Sequence, residues 1–197
     1  MKFRKLILAA AAAAAVAALA VVAGPVSATS SVWLHEGKPL EKHVELPLTG
    51  GEVIEVGGAA LLCEGSATMT TEGGSTAKIT SYNVDKATCI GLAGNLEGCQ
   101  VTATEATGLP WSVTVNTTDL TAKGFKVDYT FDKECAVGKI EVSFPELTLT
   151  PQEEPSSIRF FSFSAEGTGK VDGKEATVNY SGPLQLPEAE FETYGIG

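Results

Sequence analysis

Cys63, Cys89, Cys99 and Cys135 are the residues whose type and number best suit covalent chemistry. They are separated by 26, 10 and 36 positions and contain no C-x2-C unit, so they lack a zinc framework. In an exported chain an even number of cysteines points to disulfides. Of the three possible pairings we favour Cys89 with Cys99 and Cys63 with Cys135. The first closes a short loop in which Gly91, Gly94 and Gly98 let the backbone bend. The second ties an early strand to a later strand end. The only two histidines, His35 and His43, lie near Glu36 and Glu45 in a polar segment, without the structured frame a metal site needs. There is no G-x-S-x-G elbow, no glycine-rich phosphate loop followed by lysine and no D-x-[DN]-x-[DN]-G calcium loop. Among 24 carboxylates no pair is singled out as the acid and base of a glycosidase. We therefore assign no catalytic residue, metal or cofactor. Phe160, Phe161 and Phe163, beside Arg159, are the candidate ligand contacts, because adjacent phenylalanines on a strand face opposite ways.

The N-terminus supplies the context for the cysteines. Lys2, Arg4 and Lys5 precede an apolar run from Leu6 to Ala23, then Gly24-Pro25 and the small-residue pattern Val26-Ser27-Ala28. This is the order of regions in a cleaved export signal, which predicts a mature chain beginning at Thr29 with no stable membrane anchor. Removing those three cations leaves 11 basic against 24 acidic residues, a net charge of −13. A surface of that sign repels phosphate backbones, so nucleic-acid partners are excluded. Leu46-Pro47-Leu48-Thr49-Gly50 matches the L-P-x-T-G sorting pentapeptide, but 147 residues follow it and no apolar span with a basic tail does, so it is read as coincidence. Asn116-Thr117-Thr118 and Asn179-Tyr180-Ser181 fit the glycosylation sequon.

The elements that must position these residues are strands. Phe125, Val127, Tyr129 and Phe131 alternate with Lys126, Asp128, Thr130 and Asp132, a period of two with one face buried. Trp111, Val113 and Val115 repeat the pattern, as do Ile140, Val142 and Phe144, while Pro145 predicts that 147–149 is an edge or a new strand. Leu61, Cys63, Ala67 and Met69 share one face, which places Cys63 toward the core. Asp172-Gly173 predicts a type I′ hairpin turn, and Glu72-Gly73-Gly74-Ser75 a looser one. No amphipathic helix follows the signal. The expected fold is all-β, an antiparallel β-sandwich with a closed or partly open β-barrel as the alternative, stapled by disulfides. The organisation read from the pattern is a signal peptide over 1–28, an N-terminal arm or leading strand over 29–50, a β-domain over 51–186 and a C-terminal tail over 187–197.

The alanine-rich tract from Leu6 to Ala23, the Thr/Gly-rich strands and the four spaced cysteines resemble small exported all-β proteins of actinobacteria, the high-GC Gram-positive bacteria. The resemblance implies a secreted or cell-wall location and transfers no functional residue. The expected function is non-enzymatic: a binding or surface role outside the cell toward an extracellular ligand or cell-surface component. The alternatives are a glycan or peptide hydrolase, and an inhibitor presenting the loop between Cys89 and Cys99.

Overall fold

The computed structural model describes residues 31–152, 160–186 and 194–197; the proposed signal at 1–28 lies outside them. Among the described residues there are twelve strands and one short 3-10 turn at Gly94–Leu96. The strands are β1 (Trp33–His35), β2 (Lys38–Pro39), β3 (Glu45–Val56), β4 (Ala59–Gly73), β5 (Thr76–Ala93) and β6 (Val101–Ala106). They continue with β7 (Trp111–Val115), β8 (Leu120–Phe131), β9 (Lys139–Pro151), β10 (Phe160–Val171), β11 (Lys174–Gln185) and β12 (Tyr194–Ile196). The all-β, antiparallel, disulfide-stapled architecture expected from the alternation is present. Pairing runs β7-β5-β4-β3-β11-β10-β9, and β8 pairs with both β7 and β9, so the circuit of hydrogen bonds returns to its start. That closure is the feature of the alternative weighed above.

The core lies inside this circuit. Phe125, Val127, Tyr129 and Phe131 on β8, Trp111, Val113 and Val115 on β7, and Ile140, Val142 and Phe144 on β9 are all buried, as their alternation requires. Asp172 and Gly173 have φ of 49° and 78° and join Val171 to Lys174, the two-residue turn predicted from Asp-Gly. Asp172 Oδ1 also accepts the amides of Gly138 (2.9 Å) and Lys139 (2.8 Å), fixing the neighbouring connection. Gly74 and Ser75 turn β4 into β5, and Gly73, which pairs with Thr76, and Gly74 have φ of 89° and 61°.

Three expectations change. First, 147–149 is neither an edge nor a new strand. β9 runs through Pro145 and pairs with β8 on both sides of it, because the partner residue there is Gly124, at φ 84°, and both strands change face at that level. Leu147 and Leu149 are consequently buried. Second, the boundary drawn between 50 and 51 falls inside β3. Pro47 is accommodated because β11 pairs with β3 only as far as Thr49, leaving Pro47 with a strand on one side alone. Third, the arm and the tail pair with each other: β12-β1-β2 is a separate three-stranded sheet, with Trp33 opposite Ile196. Trp33 is buried and meets Phe161 edge-on at 6.2 Å, and that contact attaches the small sheet to the core. No helix among the described residues is long and apolar enough to cross a membrane.

Candidate functional site

The pleat of β3 sends Leu46, Leu48, Glu52, Ile54 and Val56 inward, so a glutamate occupies a core position and is only 2% exposed. Three of the four tyrosines in the chain converge on it. Tyr129, from β8 across the interior, donates to Oε1 at 2.5 Å. Tyr180, on β11 beside β3, contacts Oε2 at 2.6 Å, and Tyr82 on β5 bonds the same oxygen. Tyr82 points inward because of a bulge. Met69 pairs with Ile79 but Thr68 pairs with Ser81, so Thr80 is an extra residue that reverses the alternation of β5. Gly65, which also faces inward, has the Tyr82 hydroxyl 3.8 Å from where its Cβ would stand. Phe125 lies 5.0 Å from Tyr180 and 5.5 Å from Tyr82, and Trp111 and Phe163 complete an aromatic wall around the polar centre.

Counting protons defines the chemistry of this cluster. The hydroxyls of Tyr82 and Tyr180 are 2.7 Å apart, so they and Glu52 Oε2 form a triangle in which each oxygen reaches the other two. Three sides need three hydrogens, and each phenol carries one. The third is the proton of a neutral Glu52, which lets each group donate once and accept once while Oε1 accepts from Tyr129. Burial raises the pKa of Glu52 in the same direction, and the three phenol hydrogen bonds offset only part of that rise. Burial, followed by the proximity of Glu52, pushes the three phenols well above their ordinary range. The adjoining void, lined by Tyr82, Phe125, Phe163, Tyr180 and neighbours, is about 10 Å³ and almost wholly apolar, too small to admit a substrate. The cluster is an internal brace linking β3, β5, β8 and β11.

On the outside of the same wall lies a groove of about 750 Å³ crossing β11, β3, β4 and β5. Gly51 is its floor: a Cβ there would meet only Cys63 O, at 3.7 Å, so the trough exists because position 51 has no side chain. One side is formed by Pro183 and Gln185 of β11, and the other by an arch of β5. Glu64 pairs with Asp85 but Leu62 pairs with Ile90, so β5 carries three extra residues and stands out from the sheet. Asp85 Oδ1 accepts the Ala87 amide at 3.0 Å, and Thr88 Oγ1 donates to Asp85 O at 2.8 Å while accepting the Glu64 amide at 2.9 Å. A disulfide between Cys63 and Cys89 anchors the arch to β4.

The cysteine pairing is therefore a correction. Cys63 joins Cys89, and Cys99 joins Cys135, with Cα separations of 4.1 and 5.2 Å. Cys89 does not close a loop with Cys99, because β5 stays a strand through Ala93 and holds Cys89 beside Cys63 across the hairpin. Cys99 follows the 3-10 turn and faces the β8–β9 connection, where Asp132 accepts the amides of Cys135 (2.9 Å) and Gln100 (3.2 Å). Each link closes a long loop, of 26 and 36 residues, and contributes about 3 to 4 kcal/mol through lost unfolded-chain entropy.

The aromatic candidates are corrected in part. Phe161 and Phe163 are core residues, 1% and 5% exposed, with Phe163 stacked on Tyr180 at 4.8 Å; Phe160, on the opposite face, is half-buried. The sheet's inner face takes both rings because they are two residues apart. His35 stacks on Tyr194 at 4.9 Å, and His43 sits in a turn with its amide on Thr71 O, so the two histidines are not brought together by a common contact. Leu46 and Leu48 of the Leu-Pro-Leu-Thr-Gly sequence are buried in β3. No group of three or more possible metal ligands occurs among the described residues. No protein-family model, curated protein or solved structure matches the chain.

Proposed function

We propose that this chain is an exported, non-enzymatic binding domain, secreted or held at the cell wall, and that its ligand occupies the outer groove over Gly51. The groove carries this reading. Its volume is within the range of ligand sites, and it lies on a wall held from inside by the Glu52 cluster and from the side by Cys63–Cys89. The basic, apolar and small-residue regions before Thr29 support export, and two disulfides are compatible with an extracellular location. The acidic balance argues against nucleic acid as a partner. Glu52, the one buried glutamate among the described residues, has its oxygens engaged by tyrosines and no room for a substrate beside it, which favours binding over catalysis.

Fractionation of producing cells followed by N-terminal sequencing tests export; the exported form should begin at Thr29. Arrays of cell-wall glycan fragments and of extended peptides, probed with the fluorescently labelled exported protein, test binding. Gly51→Leu fills the trough without a backbone clash, so it should abolish the signal that the wild type gives. Equal signals from both proteins would overturn the assignment of the groove. Turnover of any arrayed compound, abolished by a single Asp or Glu substitution, would overturn the non-enzymatic reading.

A further inference from the structure

We infer that the groove takes an extended peptide segment bearing lysine or arginine, a deduction that rests on the groove being the ligand site. Glu64 and Asp85 stand directly opposite one another in the β4–β5 register, both exposed on the groove side. Like charges in that relation destabilise a sheet. The same arrangement occurs at Asp128 and Glu141 of β8 and β9, and there Lys139 reaches both carboxylates, at 2.8 and 3.0 Å. The pair in the groove has no such counter-charge among the described residues. No lysine or arginine lines the groove, and Lys86, next in sequence to Asp85, directs its ammonium to Thr102 O at 2.9 Å. An arriving cation would fill the role that Lys139 fills on β8 and β9.

The rest of the groove indicates what carries the cation. Two carboxylates form too small a ligand set for a bare metal ion, and about 750 Å³ far exceeds what one ion needs. Thr49, Ser66, Asn83 and Gln185 present hydroxyls and amides that can pair with a peptide backbone. Leu62 and Ile90 lie among them, and Ile90 at 57% and Leu92 at 51% are the exposed large hydrophobic residues of the described chain. An apolar rim beside paired carboxylates suits the aliphatic stem and charged head of lysine or arginine. Crossing four strands spans about 14 Å, which is about four residues of extended chain.

The test uses fluorescence anisotropy with labelled, end-capped hexapeptides in which two central residues are Lys, Gln or Glu between Val and Ser. At low salt the exported wild-type protein should bind the Lys peptide at least tenfold more tightly than the Gln peptide and should not bind the Glu peptide. The double variant Glu64→Gln with Asp85→Asn should reduce the Lys peptide to the level of the Gln peptide. Glu105→Gln with Glu175→Gln removes the same charge from exposed positions outside the groove and should change nothing. Equal binding of Lys and Gln peptides, no binding of the Lys peptide at millimolar concentration, or an equal loss in the two double variants would overturn the inference. If Gly51→Leu still abolishes the array signal in those cases, the groove stands and only the cationic ligand class falls. If Gly51→Leu binds like the wild type, the groove itself falls.

Discussion

Glu52→Gln separates a neutral acid from an anion at the centre of the protein. Glutamine keeps the size of the side chain and one carbonyl oxygen for Tyr129. Its NH2 group replaces the protonated Oε2 and can donate to the oxygens of both Tyr82 and Tyr180, while one phenol supplies the hydrogen between them. Every side of the triangle is still made, but four hydrogens now serve three sides and one phenol hydrogen is left without an acceptor, so near pH 4 the variant should be less stable than the wild type by about 1 to 3 kcal/mol. The comparison then changes with pH. The pKa of Glu52 in the folded protein is raised, whereas an unfolded glutamate titrates at about 4.3. Below that value both states hold the proton and the group adds no slope. Above it the unfolded chain releases the proton and the folded protein retains it, so Glu52 draws stability away from the wild type at about 1.4 kcal/mol per pH unit. The loss stops once the folded pKa is passed. Glutamine has no such proton, so the variant should gain on the wild type as pH rises until the difference becomes constant. Urea midpoints for both proteins between about pH 4 and about pH 8 read this difference, and the lowered pKa of Glu141 beside Lys139 cancels because both proteins share it. A deficit of the variant that fails to shrink between about pH 4 and about pH 8 would show that the tyrosines hold an anion and would refute the proton count.

Adjacent glycines on β3 should behave oppositely. A Cβ on Gly50 would stand 2.0 Å from Pro183 O, so Gly50→Ala should cost about 2 to 3 kcal/mol in urea denaturation, whereas Gly51→Ala, whose Cβ meets only Cys63 O at 3.7 Å, should cost less than about 0.5. Peptide mapping of the non-reduced protein should recover Cys63 linked to Cys89 and Cys99 linked to Cys135; a Cys89–Cys99 peptide would overturn the register of β4 and β5. Phe161→Ala and Phe163→Ala should each lose about 3 to 5 kcal/mol of stability, and a ring that can be removed at no cost would contradict its place in the core.

Much of this architecture is written locally, and those parts were legible. The alternation of 125–131 identifies the buried face of β8 residue by residue, and Asp172-Gly173 specifies its turn, because each signal acts between neighbours in sequence. Glu52 was also within reach: it shares the inward parity of Leu46, Leu48, Ile54 and Val56, and Tyr129 belongs to the buried set of β8. Tyr82 was not, because its direction depends on the extra residue Thr80, which no local pattern announces. The disulfides lie between these cases. A hairpin turning at Gly74-Ser75 brings position 63 opposite 86, and only the three-residue arch of β5 moves its partner to Cys89. The groove was hidden for a different reason. Gly51, Glu64, Asp85 and Pro183 come from four strands, and their adjacency is a property of the closed circuit rather than of any segment.

The inner cluster and the outer groove share one weak point in the sheet. Pairing between β3 and β11 lapses between Val53–Ser181 and Gly50–Leu184, where Pro183 has no amide to contribute. The strands nevertheless approach closely there: a Cβ on Gly182 would stand 2.0 Å from Gly51 O and 3.0 Å from the ring of Phe163. Glu52 lies at this level on the inner face, and its contact with Tyr180 joins the two strands where the backbone ladder is absent. Tyr129 extends the connection to β8 on the far wall, so the β3–β11 seam is held here by side chains, while β3 keeps its ladder to β4 and β11 its ladder to β10. The outer face at the same level carries Gly51 and Pro183 and is braced from the inner face by the Glu52 contacts. On the proposed reading, a ligand settling over Gly51 would meet a surface braced from behind, and less of its binding energy would be lost to ordering the protein.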